Sequence, residues 1–142
     1  MANNITFAMI KPDAVEALNS GKIIDLIEKN GFDIIRLAKV QITPEGAGIF
    51  YEVHKERPFF GELVKFISSG PVVIMALKKE NAVKEWRDLM GATNPAEAAE
   101  GTVRKLYGKS IGNNATHGSD SDENAVKELA LFFQDLFQHP AE

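Results

Sequence analysis

Three apolar runs along the chain predict buried β-strands. They cover residues 5–10, 32–42 and 71–77, and each is bounded by polar residues, proline or glycine that are typical of turns. The third run is apolar at every position, which indicates a strand that is covered on both faces. A weaker last strand is expected near residue 117.

Apolar residues at helical spacing predict helices between these strands. Gly31 and Gly91 are typical helix stops, and Thr43 followed by Pro44 is a typical helix start. The predicted helices cover residues 20–30, 44 to about 55, 59–68, 81–90, 102–106 and 120 or 121 to about 137. The apolar stripe of the last helix consists of Ala125, Leu129, Phe132, Phe133 and Leu136.

The order of these elements indicates the fold class. Strand–helix–strand occurs twice, the second time with a long insertion. This order favours an α+β fold, a ferredoxin-like βαββαβ antiparallel sheet with helices packed on one face. A flavodoxin-like layout is the alternative. With 142 residues and no linker or repeat, the chain is expected to form a single domain, residues 1–142.

Charge and cysteine content narrow the functional classes. Sixteen basic and twenty acidic residues give a net charge of −4, so neither a specific nucleic acid nor a membrane is expected as a partner. The absence of cysteine excludes disulfides, thiolate catalysis and cysteine metal sites. Since there is also no signal peptide and no apolar stretch of about 20 residues, a soluble cytoplasmic protein is expected.

The strongest candidate for chemistry is His117. It lies in segment 114–121, Asn-Ala-Thr-His-Gly-Ser-Asp-Ser, and no large apolar side chain occurs from position 112 to 121. The neighbouring Gly118 is expected to let a substrate approach the imidazole closely. Because imidazole titrates near physiological pH, His117 is a candidate nucleophile or general base, although a lone histidine is more often structural.

Several competing chemistries lack their sequence patterns. The chain has no Gly-x-x-x-x-Gly-Lys-Ser/Thr loop, no strand-linked Gly-x-Gly-x-x-Gly and no Gly-x-Ser-x-Gly elbow. A metal site made of His117, Asp120 and Asp122 matches no strong ligand spacing. What remains is a histidine that accepts a phosphoryl group, a reaction that needs positive charge around the phosphate.

Partners for such a reaction are present. Lys11, Arg87 and Arg104 lie at positions from which their side chains can converge on a phosphate. Glu128 borders the apolar stripe of the last helix and therefore needs a partner. An imidazole N–H could be that partner, which would leave the other ring nitrogen free for attack. Each residue alone is more often structural or solvated, so the substrate stays open at this point.

The chain closely resembles the nucleoside diphosphate kinase family from about Thr6 to Phe133. The most specific shared motif is Asn114-x-x-His117-Gly118-Ser119-Asp120-Ser121. Further shared motifs are Ile10-Lys11-Pro12-Asp13, His54-Lys55-Glu56-Arg57-Pro58-Phe59-Phe60, Ser69-Gly70-Pro71-Val72-Val73, Gly91-Ala92-Thr93-Asn94-Pro95-Ala96 and Gly101-Thr102-Val103-Arg104.

The resemblance implies a ping-pong phosphotransferase that maintains nucleoside triphosphate pools. Nδ1 of His117 would take the γ-phosphate of a nucleoside triphosphate, usually ATP, and pass it to a nucleoside diphosphate. Glu128 would hold the imidazole by hydrogen bonding, with Ser119 in a supporting role beside both. The phosphates and the ribose 3′-hydroxyl would be held by Lys11, Tyr51, Arg87, Thr93, Arg104 and Asn114.

The resemblance also implies how the base and the metal are bound. The base would lie between Phe59 and Ile111, and stacking of this kind accepts purines and pyrimidines alike. Mg²⁺ would bridge the nucleotide phosphates with little direct ligation by the protein, so no metal-ligating residue is predicted.

Small departures from the family pattern concern assembly. Ala14 and Ala17 stand where many members have a glycine and a basic residue, in a region that the family uses for subunit contacts. Residues 134–142 lack the extension that supports hexamers in longer eukaryotic members. The resemblance to short bacterial-type members implies a homo-oligomer built from dimers, most often a tetramer.

Two other functions stay open for the sequence. One is a non-catalytic nucleotide-binding or interaction module on the same fold, which could lose His117 or the phosphate cations without penalty. Here those residues are all present together. The other is a metal-dependent phosphohydrolase, which would release inorganic phosphate without an acceptor.

Overall fold

The computed structural model describes residues 4–137, in which one antiparallel sheet forms the centre. Its strands are β1 (Ile5–Ile10), β2 (Asp33–Val40), β3 (Val72–Lys78) and β4 (Thr116–Gly118). The strand order is β2-β3-β1-β4, and all neighbouring strands are antiparallel. The ferredoxin-like prediction is confirmed, and the flavodoxin-like alternative is wrong because it requires a parallel sheet.

Seven α-helices connect and cover the strands in the described part of the chain. They are α1 (Pro12–Glu16), α2 (Ser20–Lys29), α3 (Pro44–Phe50), α4 (Phe60–Ile67), α5 (Ala82–Met90), α6 (Val103–Tyr107) and α7 (Asp122–Phe132). Single 3₁₀ turns lie at Glu52–His54, Pro95–Glu97 and Gln134–Phe137. Three of these helices are capped at their N-termini by a side-chain hydroxyl that accepts a hydrogen bond from a backbone N–H of the first turn. The capping residues are Thr43, Thr102 and Ser121.

Three helices differ from the sequence-based expectation, one in its existence and two in where they end. Helix α1 was not predicted, although Pro12 and Asp13 are favourable residues for a first helical turn. Helix α3 ends at Phe50 and not near residue 55. The next residue, Tyr51, has left the helical conformation and is buried in the core. Helix α7 ends at Phe132, because Phe133 leaves the helical conformation and packs into the core. The end of the chain, residues 138–142, lies outside the described residues.

Both faces of the sheet are covered, so the expectation of helices on one face only is wrong. On one face Ile10 and Met75 pack with Trp86 of α5 and with residues of α2. On the other face Phe7 and Ile74 pack with residues of α4 and α7. The cause is the apolar pattern of β3 and β1, which have buried residues pointing to both faces and therefore need two covering layers.

The described helices are all too short or too polar to cross a bilayer. This holds for the helices within residues 4–137.

Candidate active site

The short edge strand β4 holds His117 at the rim of the sheet. Its backbone pairs with β1 so that His117 lies opposite Met9. From the opposite layer, the Trp86 indole donates a hydrogen bond to the carbonyl oxygen of His117 over 3.3 Å. The backbone of the candidate nucleophile is therefore held by the sheet and by a buried helix side chain.

Gly118 has a different role from the one that the sequence suggested. It is buried, and a Cβ atom at this position would lie 2.5 Å from Met90 Cε and 2.6 Å from Trp86 Cδ1. Such distances are too short for any side chain, so the missing Cβ allows β4 to pack against α5. The expectation that Gly118 opens a path to the imidazole is wrong, because this glycine faces the core.

One carboxylate oxygen fixes the imidazole. His117 Nε2 lies 3.0 Å from Glu128 Oε1, and the Ser119 hydroxyl donates to the same oxygen over 2.7 Å. An ionised carboxylate accepts only, so Nε2 carries the proton that is shared with Glu128. In the neutral ring the lone pair then lies on Nδ1. The predicted contact between Glu128 and the imidazole is present, with Ser119 beside both.

Aromatic rings surround the imidazole on its other sides. The Phe50 ring is edge-on to His117, with centroids 4.8 Å apart, and the Phe7 ring lies at 6.1 Å. Sequence reasoning missed Phe50, since it searched for charged and polar partners of His117 and not for aromatic ones. Tyr51 is buried, and burial together with the Glu128 charge raises its pKa to about 12.

A second cluster connects three of the predicted phosphate and ribose residues. Lys11 Nζ donates to Asn114 Oδ1 over 3.0 Å, and Asn114 Nδ2 donates to the carbonyl oxygen of Thr93 over 3.1 Å. Asn114 is almost fully buried. Burial, and secondarily the nearby charge of Arg104, lowers the pKa of Lys11 to about 8, while the charge of Asp13 opposes this shift.

The two predicted arginines lie next to this cluster but differ in exposure. Arg104 is buried and donates to the carbonyl oxygens of Gly91 over 3.1 Å and of Thr116 over 2.9 Å. Burial, and secondarily the charge of Arg87, lowers the pKa of Arg104 to about 10. Arg87 lies exposed on α5. The cations therefore influence one another, as expected for a site that receives an anion.

The two residues predicted to hold the base both have solvent-exposed side chains. The side chain of Phe59 is 44% exposed and that of Ile111 is 60% exposed. The Phe59 ring contacts His54, with centroids 5.6 Å apart. Both side chains are therefore accessible to solvent, as a residue that stacks on an incoming base must be.

The described residues contain no group of three or more histidine, aspartate or glutamate side chains that could hold a metal ion. The alternative metal site of His117, Asp120 and Asp122 is thus not assembled within residues 4–137.

Comparisons with known proteins identify relatives of this chain over most of its length. The family model described as nucleoside diphosphate kinase matches residues 4–136. A nucleoside diphosphate kinase of Chlorobaculum parvum is 59% identical over 128 residues, which cover 90% of this chain and 91% of the relative. One from Flavobacterium psychrophilum is 56% identical over 133 residues, covering 94% and 96%.

Solved structures show the same likeness in three dimensions. The structure of the Aquifex aeolicus nucleoside diphosphate kinase superimposes with a TM-score of 0.91 at 46% identity, covering 94% of this chain and 96% of that one. The structure of the nucleoside diphosphate kinase from Encephalitozoon cuniculi gives 0.90 at 38% identity, covering 98% and 95%.

Proposed function

Since the chain belongs to the nucleoside diphosphate kinase family and is a phosphotransferase of that kind, we propose that His117 is the residue that carries the phosphoryl group. The observation that supports this proposal is the state of the imidazole. Nε2 is bonded to Glu128 at 3.0 Å, so the lone pair of the neutral ring is at Nδ1. A histidine held in this way is a nucleophile with a fixed tautomer and orientation.

The proposed reaction has two matching halves. In the first, the Nδ1 lone pair attacks the γ-phosphorus of a nucleoside triphosphate, usually ATP. The N–P bond forms while the bond from phosphorus to the β-phosphate oxygen breaks, and the nucleoside diphosphate leaves with that electron pair. In the second half, the terminal phosphate oxygen of another diphosphate attacks the phosphohistidine and Nδ1 leaves. Throughout, the Nε2 proton stays on the side of Glu128, which stabilises the positive charge that develops on the ring.

The cationic cluster supports a proposed phosphate site. We propose that Lys11, Arg87 and Arg104 bind the phosphate oxygens, since the charge of Arg104 lowers the pKa of Lys11 and the charge of Arg87 lowers the pKa of Arg104. Asn114 and Thr93 are joined to Lys11 by hydrogen bonds, and we propose that they bind the ribose 3′-hydroxyl and the adjoining phosphates, together with Tyr51. Phe59 and Ile111 are proposed to enclose the base.

Kinases of this family generally need a divalent cation. We propose that it is Mg²⁺, which enters as part of the nucleotide complex. The residues around the site fit this proposal, because Lys11, Arg87 and Arg104 are donors for phosphate oxygens and not ligands for a metal ion. A chelator should abolish phosphoryl transfer, and added Mg²⁺ should restore it.

Further proposals concern the domain organisation, the location and the assembly of the protein. We propose that residues 1–142 form a single domain, because one sheet connects both core clusters. A cytoplasmic location and a homo-oligomer built from dimers, a tetramer for a short bacterial-type chain, follow from the family resemblance. Size-exclusion chromatography with light scattering at several concentrations would test the assembly.

Phosphorylation of the protein itself tests the proposed role of His117. Incubation with γ-labelled ATP and Mg²⁺ should give a label that is lost in acid and stable in base. His117→Ala should take up no label, whereas the control His54→Ala should still be labelled. Label that persists in His117→Ala contradicts the proposal. Phosphate release without an acceptor, at the rate seen with one, would indicate a phosphohydrolase instead.

A further inference from the structure

The segment just before His117 has an unfavourable backbone conformation. Ala115 has φ = 75°, in the left-handed region that residues with a Cβ atom seldom adopt. This residue lies between Asn114 and Thr116, so it sets the direction of the chain between the buried amide and the strand that bears His117. A conformation of this kind persists only where the surrounding contacts enforce it.

Both polar backbone groups of Ala115 are bound by the junction of β1 and α1. The Ala115 N–H donates to Asp13 Oδ2 over 3.1 Å, and the backbone N–H of Lys11 donates to the Ala115 carbonyl oxygen over 2.8 Å. Lys11 also contacts the preceding residue through its side chain, which donates to Asn114 Oδ1. Three hydrogen bonds thus connect residues 11 and 13 to residues 114 and 115.

Asp13 is placed for this contact by its own helix. It occupies the first turn of α1, and Pro12 restricts the backbone just before it. The other carboxylate oxygen, Oδ1, is buried and lacks a hydrogen-bond partner within residues 4–137. Burying such an oxygen is unfavourable. An apolar residue would avoid that cost but would lose the hydrogen bond to Ala115, so the acid is consistent with a role in holding that residue.

We propose that Asp13 is a positioning residue for phosphoryl transfer, which holds Ala115 in its left-handed conformation and so aligns Asn114 and His117 with the nucleotide. This inference rests on the proposed function of His117. It adds a residue that touches neither the reacting nitrogen nor, on this account, the phosphate.

The negative charge of Asp13 gives the same residue a second, separable effect. Two neighbouring charges act on the pKa of Lys11: the charge of Arg104 lowers it, and the charge of Asp13 raises it. Removal of the Asp13 charge should therefore move the alkaline limb of nucleotide binding to lower pH, whether or not the hydrogen bond to Ala115 is kept.

Four variants separate these effects: Asp13→Ala, Asp13→Asn, Ala115→Gly and the double variant Asp13→Ala/Ala115→Gly. Asp13→Ala should lower kcat by about tenfold, because it removes one hydrogen bond to a strained peptide. Asp13→Asn keeps an acceptor and should stay within about threefold of the wild-type kcat. Glycine adopts positive φ without strain, so in the Ala115→Gly background the loss caused by Asp13→Ala should shrink to about threefold or less.

The pH profile supplies a readout that a merely structural role would not change. Both Asp13→Ala and Asp13→Asn should shift the alkaline limb of ADP binding to lower pH, whereas Ala115→Gly should not. The exchange assay and a thermal unfolding midpoint are measured for each variant. Thus a misfolded protein is recognised, and Asp13→Asn still tests the idea if Asp13→Ala fails to fold.

The outcomes are distinct from those for the proposed function. Wild-type kcat in Asp13→Ala, or an equal loss in the Ala and Asn variants, would overturn the positioning role. So would a loss from Asp13→Ala that is the same in the wild-type and Ala115→Gly backgrounds. Each of these results needs an active wild type labelled on His117, so failure of the phosphohistidine mechanism itself would be seen first, in the wild-type protein.

Discussion

The phosphate end and the base end of the proposed nucleotide site differ in how far they are built without a ligand. At the phosphate end, Lys11, Asn114 and Arg104 are tied into the fold by hydrogen bonds of 2.9 to 3.1 Å. At the base end, the side chains of Phe59 and Ile111 are exposed by 44% and 60%.

This difference assigns a separate task to each end. Groups that stabilise a transition state are most effective when they are already oriented, since no free energy is then spent on ordering them during the reaction. A base that is held only by stacking on an exposed ring is bound with little regard to its identity. The proposed function thus assigns the chemistry to the hydrogen-bonded end and the tolerance of different bases to the exposed end.

The largest effect is expected when the rigid end loses a charge. Lys11→Met removes the ammonium and keeps a side chain of similar length, and kcat/KM should fall by about 100-fold or more. The melting temperature should fall far less than this loss of activity would suggest, because the variant removes a charge that burial disfavours. Steady-state exchange between ATP and GDP, with thermal unfolding measured in parallel, checks both expectations. Lys65→Met, on the exposed face of α4, is the matched control and should leave both unchanged.

The next largest effect concerns the group that orients the nucleophile. Glu128→Ala removes the acceptor of both His117 Nε2 and Ser119, so kcat should fall by about tenfold to 100-fold. The dissociation constant for ADP should change by less than about threefold, because the hydrogen bonds of the carboxylate go to His117 and Ser119, which are not among the proposed nucleotide contacts. The exposed Glu123 of the same helix provides the control Glu123→Ala. An unchanged turnover in Glu128→Ala would remove its orienting role.

A smaller effect is expected at the open end. Phe59→Ala should raise KM by about fivefold to tenfold through the loss of stacking, with kcat little changed. The factor should be similar for adenine, guanine and cytosine diphosphates, and Phe59→Tyr should restore most of the affinity. If one base alone were affected, Phe59 would contribute to specificity, and the division between the two ends would be wrong.

The smallest effect at neutral pH comes from the titration of Lys11. Its pKa is lowered to about 8, so the free protein loses this charge as the pH rises through that value, and a bound phosphate favours its return. ADP affinity should fall about twofold at pH 8 and about tenfold for each further pH unit. Calorimetry in buffers of different ionisation enthalpy should show proton uptake on binding. Lys11→Met should abolish that uptake. Tyr51 should not contribute, because its pKa is raised to about 12.

The regular elements were predictable because they are local. Apolar runs and helical spacing gave β1 its observed bounds, and gave α2 and α5 theirs to within a residue or two. The fold class followed from the repeated strand–helix–strand units. The extra helical layer was harder to foresee, because a strand that is apolar on both faces does not show in the sequence which element covers its second face.

One contact of the candidate site could be predicted from the sequence, whereas others could not. Glu128 could be paired with His117 because an acid at the border of an apolar stripe needs a partner. The enclosure of His117 by Phe50 and the packing of Gly118 on Trp86 involve residues that are distant along the chain. Nothing in the local pattern links them, since such contacts exist only once the layers are assembled.

The hydrogen bond from Trp86 to the carbonyl of His117 has a practical consequence. Trp86 is the single tryptophan of the chain, and its indole is buried. The indole Nε1 lies 3.3 Å from the carbonyl oxygen of His117, the residue proposed to be phosphorylated. Indole emission responds to the electric field and hydrogen bonding around the ring, so the protein contains a built-in optical reporter at its reactive centre. Stopped-flow fluorescence at this one chromophore would follow each half of the catalytic cycle in real time, on native protein without any label.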